Sequence, residues 1–198
     1  MSNDRLTRQL GFLVEADRLK TVLRRTPLTD GSRRENSAEH SWHLAIAALA
    51  LTEYADGLDF RRVYELVAVH DLVEIDAGDT FAYDRNLEVH RTKADRERAA
   101  AVRIFGLLPA DQAARLRDLW EEFERAETPE AQFANALDRL QALVQNMAAG
   151  GGSWIDYQVT RTQVLQRMAP IERVMPALWP WVLDVVDRFC AAGAIAEG

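Results

Sequence analysis

The sequence predicts an all-α protein, and its 198 residues suit one compact domain. Apolar residues recur at helical spacing along nearly the whole chain, as Leu6, Leu10 and Leu13 show in the first segment. No segment has the alternation of apolar and polar residues that is typical of a half-buried strand. Glycine and proline residues interrupt the helical pattern, but the chain contains neither an internal repeat nor a low-complexity linker. We therefore expect a single multi-helix bundle over residues 1–198.

Start and stop signals place the helices in order along the chain. The first helix ends before Pro27, and Ser37 is a suitable N-cap for the second. Asp59 can cap the third helix, and Pro109 opens a later helix at its first turn. The predicted helices cover residues 6–19, 37–54, 60–73, 87–105, 109–126, 129–149, 155–168 and 171–190.

Two breaks in this pattern organise the domain. Residues 75–85 are short, acidic and interrupted by Gly78, which predicts a loop. Three consecutive glycines at residues 150–152 end the long helical stretch before them. We expect residues 10–150 to form the core and the C-terminal helices, residues 153–192, to pack on it.

The charge of the chain argues against several classes of partner. The formal net charge is −7, whereas broad binding to nucleic acid or to an anionic membrane needs a basic surface. A small phosphorylated substrate is compatible with this charge, because a local arginine cluster can overcome a global negative field. We expect such a substrate, and neither a nucleic acid nor a membrane as partner.

Cysteine content and hydropathy bear on the compartment. Cys190 is the one cysteine, so no internal disulfide can form, and a reducing compartment is expected. The polar start of the chain lacks a signal-peptide pattern, and the longest apolar run, residues 44–51, is too short to span a bilayer. These observations predict a cytoplasmic protein.

A His-Asp pair at the end of an apolar helical run is the first candidate for chemistry. His70 and Asp71 follow residues 66–69, which are all apolar, and a buried polar pair needs a partner. On a helix, Glu74 would share a face with both. Carboxylates this close repel one another unless a cation lies between them. Imidazole and carboxylate together suit a divalent metal such as Mn, Co, Fe, Ni or Zn, and the mixture does not select among them. The sequence does not distinguish Mg from these metals either.

Two further residues fit the same hypothesis. His40 lies near the start of the second predicted helix, and Asp138 lies inside a later apolar helix. A carboxylate at such a position calls for a cation, which could be the neighbouring Arg139 or a metal ion. Each residue alone is uninformative, but the order His, His-Asp, Asp on a helical background favours a metal site.

These residues carry a resemblance to a known family. The order His40, His70-Asp71, Asp138 resembles that of the HD-domain phosphohydrolase superfamily. Residues 33–43, Arg-Arg-Glu-Asn-Ser-Ala-Glu-His-Ser-Trp-His, resemble the first motif of its 5′-deoxynucleotidase branch, which includes the HD-domain-containing protein 2 group. The His70–Glu74 run with Gly78-Asp79, and Arg18-Leu19-Lys20 with Arg25 and Pro27-Leu28, are similar to further segments of that branch. The resemblance covers roughly residues 10–150.

The resemblance implies a fold, a cofactor and roles for individual residues. It implies an HD-domain bundle with one divalent cation bound by His40, His70, Asp71 and Asp138. Glu74 would position or deprotonate the attacking water, and Asp79 would lie beside that water or the substrate's sugar. Arg25 would contact the phosphate. Members of the branch hydrolyse deoxynucleoside 5′-monophosphates and tend to form dimers, so a homodimer is expected.

Three residues near these motifs have open assignments. Arg33 precedes His40 with a second arginine, and it could bind substrate phosphate, anchor the loop or simply be solvated; we include it among the substrate-binding candidates. Thr26 stands where the bacterial enzyme has an aromatic residue near the sugar, which leaves the choice between deoxyribose and ribose open. His43, one turn after His40, could serve the site or support it from behind.

The predicted activity is hydrolysis of a phosphate monoester, most simply as a 5′-nucleotidase. The same fold could instead act on another phosphate ester, as a phosphodiesterase or a triphosphohydrolase. A non-catalytic sensor that binds metal or nucleotide is the alternative of a different class. The water-activating carboxylate expected at Glu74 favours an enzyme, because a sensor does not need it.

Overall fold

The computed structural model describes residues 3–55 and 57–197, and these residues are predominantly helical. The all-α class is therefore confirmed. In chain order the helices are α1 Asn3–Asp17, α2 Ser37–Ala50, α3 Phe60–Val69, α4 Glu74–Ala77, α5 Leu87–Phe105, α6 Ala110–Arg125, α7 Pro129–Ala148, α8 Ser153–Asp156, α9 Arg161–Val174 and α10 Trp179–Ala191. Short 3-10 turns cover Arg18–Thr21, Thr52–Tyr54 and Pro176–Leu178.

A small antiparallel hairpin is the exception to the helical prediction. Strand β1, Leu23–Pro27, pairs with β2, Arg34–Asn36, in a register that places Leu23 opposite Asn36. The hairpin lies between the first 3-10 turn and α2. It escaped prediction because β1 carries two consecutive arginines and a proline instead of alternating apolar residues.

The start of α2 differs from the prediction by one residue. Asn36, and not Ser37, is the N-cap: its side chain accepts a hydrogen bond from the backbone N–H of Glu39 at 2.9 Å. The Glu39 carboxylate accepts in return from the backbone N–H of Asn36 at 3.1 Å, which completes a capping box. Ser37 is thereby left to face the interior with its hydroxyl.

The predicted loop at residues 75–85 begins with one helical turn. Helix α3 ends at Val69, and the next residues form tight turns through hydrogen bonds such as Glu74 N–H to the Asp71 carbonyl at 2.9 Å. The short helix α4 follows and stops at Gly78, whose φ of +72° needs a glycine. This bend lets the His-Asp pair and Glu74 point towards one place.

The C-terminal helices have different boundaries from those predicted. The break falls at residues 157–160, where Thr160 and Gln163 form a capping box that starts α9. Helix α9 then continues through Pro170, although proline removes one helical hydrogen bond. The buried side chains of Met168 and Ile171 on either side hold this segment in the core.

Helix α7 lies at the centre of the packing. It contacts α2, α3, α6 and α9, and it buries Phe133, Leu137 and Leu143 completely or nearly so. It packs most extensively on α9, and this packing brings the C-terminal segment against the core. Within the described ranges, no helix is long and apolar enough to cross a bilayer.

Candidate metal centre and active-site cavity

A cavity of about 220 Å³ opens where β1, the turn after α3, and helices α5, α7 and α9 meet. Most of the predicted site residues converge on it: Arg25, His70, Asp71, Glu74, Asp79 and Asp138 all line its wall. His40 lies directly behind the wall and is fully buried. Residues far apart in the sequence thus form one constellation.

Three predicted ligands form a compact group. One ligand atom from each of His40, His70 and Asp138 lies within 4.8 Å of the other two. The Nε2 atom of His40 is 3.1 Å from Asp138 Oδ1. The fourth predicted ligand, Asp71, has Oδ1 3.0 Å from His70 Nε2. All four residues are at least largely buried.

Hydrogen bonds behind the two histidines determine which ring nitrogen is available. His70 Nδ1 lies 2.9 Å from the carbonyl oxygen of Val67, which can only accept, so Nδ1 carries the proton. His40 Nδ1 lies 3.1 Å from Gln141 Oε1. The Gln141 amide nitrogen donates to Glu35 at 2.8 Å, so its oxygen faces His40 as an acceptor. Both histidines therefore keep a proton on Nδ1 and turn Nε2, the nitrogen that can bind a cation, towards the centre.

These two nitrogens support a metal ion on structural grounds. His40 Nε2 and His70 Nε2 are buried and have no hydrogen-bond partner among the described residues. Unsatisfied buried polar atoms are costly, and a cation beside them would remove that cost. The donor set of imidazole nitrogen and carboxylate oxygen is one that divalent transition metals accept. The residues present thus fit a divalent ion.

The charges around the group point in the same direction. Burial disfavours the imidazolium form of His40, yet the facing carboxylates of Asp138 and Glu35 raise its pKa to about 9. Burial would likewise raise the pKa of Asp138, but His40 and Arg167 hold it well below its usual range. The centre therefore favours positive charge, and a metal ion would compete with the proton for it.

Arg24 is a site residue that the sequence did not reveal. Its Nη1 donates to Asp71 Oδ2 at 3.1 Å, and the guanidinium lies 3.8 Å from Asp79 and 3.7 Å from Asp138. Its side chain is 11% exposed, whereas Arg25 is exposed at the cavity rim, 6.0 Å from the Tyr157 ring. Neighbouring residues of a strand point to opposite faces, so one arginine of the pair faces inwards.

Glu74 occupies a buried position beside this cluster. Burial raises its pKa well above the usual value, and the nearby charges of Asp71 and Asp79 add to the effect. The Ser37 hydroxyl donates to Glu74 Oε2 at 2.6 Å, which orients the carboxylate. A carboxylate with a raised pKa in a cavity is suited to accept a proton near neutral pH.

The partner of Asp138 outside the centre is Arg167 of α9. Arg167 Nη2 donates to Asp138 Oδ2 at 3.1 Å. Arg139, the neighbour that the sequence suggested, is 3.9 Å away and donates mainly to Asn135. Sequence reasoning missed Arg167 because the packing of α9 on α7, and not sequence proximity, brings it there.

Two of the remaining candidates, Arg33 and His43, lie outside the cavity wall. Arg33 is exposed and forms a two-pronged ion pair with Glu39 at 2.8 and 2.6 Å. His43 Nδ1 accepts from the Gln141 amide at 3.1 Å, so it supports the layer behind His40. Thr26, by contrast, is buried and lines the cavity beside Arg24.

A family model described as HD domain matches residues 16–179, which is most of the chain. The chain belongs to the HD domain family. A solved structure of this kind, a predicted metal-dependent phosphohydrolase from Magnetospirillum magnetotacticum MS-1, is 48% identical in sequence to the chain. The two superpose with a TM-score of 0.92 over 98% of this chain and 97% of the other.

Two further relatives extend the comparison. The 5′-deoxynucleotidase HDDC2 of Homo sapiens is 33% identical over 140 residues, which cover 67% of this chain. The match spans 66% of the human protein, just under two thirds of its length. An HD-domain phosphohydrolase from Listeria innocua shares the fold at 15% identity, with a TM-score of 0.66 over 94% of this chain and 95% of that one.

Membership of the HD domain family implies a divalent metal ion. The cluster of His40, His70 and Asp138 is the group of the described residues that satisfies this requirement on geometry. The resemblance to the 5′-deoxynucleotidase branch, inferred from motifs alone, is confirmed by the HDDC2 relatives. The family motifs and the cavity therefore coincide in this HD domain.

Proposed function

We propose that this HD domain protein is a metal-dependent phosphohydrolase that releases phosphate from (deoxy)nucleoside 5′-monophosphates. The observation that carries the proposal is the buried group of His40, His70 and Asp138 beside Glu74 and Arg24 in one cavity. The name of the human relative, a 5′-deoxynucleotidase, supports the substrate class. The likeness to the predicted metal-dependent phosphohydrolase from Magnetospirillum supports the reaction type.

One divalent ion would be held by His40, His70, Asp71 and Asp138. When bound, it lowers the pKa of a water molecule and polarises a phosphoryl oxygen. The backbone carbonyl of Val67 and the amide of Gln141 keep the two imidazoles in the required tautomer. Asp71 and Asp138 supply two negative charges, so a divalent cation is neutralised at the centre.

Glu74 is proposed as the general base. Its carboxylate accepts a proton from the water that attacks phosphorus, and Ser37 fixes the carboxylate by hydrogen bonding to Oε2. Water oxygen bonds to phosphorus while the bond from phosphorus to the ester oxygen breaks. The products are inorganic phosphate and a nucleoside, whose oxygen takes up the proton.

Two arginines, Arg24 and Arg25, and one aspartate, Asp79, would contact the substrate. Arg24 already lies among carboxylates that face the cavity, and its fork of donors suits a phosphate. Asp79 lies 3.8 Å from that guanidinium and would hold Arg24 or a sugar hydroxyl. Arg25 remains a candidate for contact at the rim. For Arg33, the pair with Glu39 supports the turn-anchoring alternative.

The decisive test is metal-dependent phosphate release from a panel of nucleoside 5′-monophosphates, with deoxyribose and ribose members of each base. We expect turnover that a chelator abolishes and that added divalent metal restores. Glu74→Gln should reduce kcat by about 10²-fold to 10⁴-fold while its metal content stays normal. If the metal-loaded protein released phosphate from no nucleotide of the panel, the sensor alternative would be supported. Turnover of diesters alone would support a phosphodiesterase.

A homodimer is proposed for the assembly. Helix α1 exposes Leu6, Leu10 and Leu13, and α2 exposes Trp42, Ile46 and Leu49, in both cases at a spacing of about one turn. Trp42 is 66% exposed and Leu13 is 62% exposed, so neither face packs within the chain. Contiguous exposed apolar surface is a feature of protein–protein contact sites, so these stripes support a contact between two copies of the chain.

Two further expectations remain proposals. The single-domain organisation of residues 1–198 is supported by the packing of α9 on α7. A cytoplasmic location is supported by the single cysteine, Cys190, which is unpaired.

A further inference from the structure

The carboxylate of Asp138 separates two groups of cations. Its Oδ1 faces the metal centre, with His40 Nε2 at 3.1 Å and Arg24 Nη2 at 3.7 Å. Its Oδ2 faces away, with Arg167 Nη2 at 3.1 Å and Arg139 Nη1 at 3.9 Å. The proposed function uses the first side for the phosphate that is cleaved, and it gives the cations on the second side no contact with the substrate.

Arg139 and Arg167 are an unusual pair because they share a single carboxylate oxygen. Both line the active-site cavity, and the Arg139 side chain is 19% exposed. Two guanidinium groups this close repel each other, and the one carboxylate between them also belongs to the metal centre. An anion would relieve the repulsion.

A polar groove continues from the cavity at this point. The two share Thr80, Tyr83, Lys93 and Arg167 in their walls, so they are connected. On α5 the groove is lined by His90 and Lys93, and on α9 by Gln163, Gln166 and Arg167. The described part of its lining contains no carboxylate, although the chain has 31 acidic residues and a net charge of −7.

Donors remain available in this region. Among the described residues, Arg167 makes one side-chain hydrogen bond, through Nη2 to Asp138, which leaves the Nε and Nη1 donors. Lys93 Nζ lies 3.3 Å from Glu97 and 4.0 Å from Glu124, on the cavity side of the groove. An ammonium group has three donors, so Lys93 can also bind a ligand in the groove.

We propose that Arg139, Arg167 and Lys93 form a second phosphate subsite at the junction of cavity and groove. The preferred substrate then carries a second phosphate in addition to the 5′-phosphate, as a nucleoside 3′,5′-bisphosphate does. The inference rests on the proposed function, since the 5′-phosphate must lie at the metal centre. The enzyme would add water across the 5′ ester and release inorganic phosphate, leaving the nucleoside 3′-phosphate with its second phosphate intact.

The test compares deoxyadenosine 3′,5′-bisphosphate with deoxyadenosine 5′-monophosphate as substrates of the metal-loaded protein. We expect kcat/KM to be about tenfold higher for the bisphosphate, mainly through a lower KM, since charge-assisted contacts act in binding. The ratio of the two kcat/KM values should fall as ionic strength rises. A ratio of one or less, with the monophosphate still hydrolysed, would overturn the subsite and leave the proposed function standing.

Charge substitutions locate the effect. Gln166→Glu places a carboxylate in the groove at an exposed position, and Lys93→Met removes a cation; each should lower the ratio several-fold. Gln112→Glu, on α6 and outside both linings, makes the same chemical change and should leave the ratio at the wild-type value. Equal ratios in all variants would contradict the assignment of the subsite to this groove.

Two other outcomes separate the alternatives. If neither substrate is hydrolysed, the proposed function fails, and calorimetric titration of both ligands into the metal-loaded protein decides the subsite by their relative affinities. Free inorganic phosphate is the competing source of the same chemistry. If millimolar phosphate altered the KM of the monophosphate in wild type but not in Gln166→Glu, while the bisphosphate had no advantage, a phosphate carried on the substrate would be ruled out.

Discussion

Arg167 donates from Nη2 to Oδ2 of Asp138 at 3.1 Å. The other oxygen of the same carboxylate lies 3.1 Å from Nε2 of His40. An arginine from α9 thus orients a proposed ligand on α7, and it does so from outside the motifs that identify the family. The C-terminal segment therefore contributes to the candidate site as well as supporting the core.

The first prediction concerns metal affinity. Arg167→Met should weaken the affinity for a divalent ion about tenfold to 100-fold, because an orienting partner of a ligand is lost. Arg167→Lys should recover part of the loss by keeping the charge without the planar fork. Calorimetric titration with Mn²⁺ measures both. Arg173→Met, at an exposed position on the same helix, is the control, and equal affinities in all variants would show that Arg167 has no such role.

The second prediction separates the two neighbouring arginines of β1. Arg24→Met should lower kcat/KM about 10²-fold or more, since a charge-assisted contact to phosphate is lost in the transition state. Arg25→Met should cost only a few-fold, because its side chain is exposed at the rim. Steady-state kinetics of the metal-loaded variants measures the difference. A larger loss in Arg25→Met would return the phosphate contact to the residue that the resemblance indicated.

The third prediction is a pH effect. The Ser37 hydroxyl favours the ionised form of Glu74 and so lowers a pKa that burial and neighbouring carboxylates raise. Ser37→Ala removes that bond, so the Glu74 pKa should rise further. Since Glu74 as the proposed base would act in its ionised form, the acidic limb of the kcat/KM profile should move to higher pH.

The matched control for this effect is Ser41→Ala. Ser41 lies one turn later on α2 and donates to the Ser37 backbone carbonyl at 3.0 Å, without contact to Glu74. Its pH profile should coincide with that of the wild type. A shift of the acidic limb to lower pH in Ser37→Ala would contradict the role of Glu74 as base.

The fourth prediction tests the homodimer. Trp42→Asp places a charge in the exposed apolar stripe of α2 and should convert the dimer to a monomer. Leu87→Asp is the control, since Leu87 is 79% exposed on a different helix. Light scattering coupled to size-exclusion chromatography measures the mass. A monomeric wild type would contradict the homodimer. A Trp42→Asp variant that is still a dimer would show that the interface does not include this stripe of α2.

Much of the candidate site could be predicted from the sequence, because histidine is rare in this chain and the candidate ligands follow one another in a recognisable order. A chain with four histidines offers few alternatives for metal ligands. The pattern of His40, His70-Asp71 and Asp138 therefore indicated a family and a group of side chains that the fold brings to one place. The helical periodicity likewise predicted the fold class, because a helix that buries one face has apolar residues at about every turn of its sequence.

The tertiary structure alone decided which neighbours complete the site. Strand β1 determines that Arg24 and not Arg25 faces the carboxylates, and a five-residue edge strand leaves almost no pattern in the sequence. Arg167 reaches Asp138 only because α9 packs on α7. Such contacts depend on the relative placement of distant elements, which local spacing in the sequence does not encode. The proposed ligands, by contrast, lie in motifs that can be recognised from their spacing.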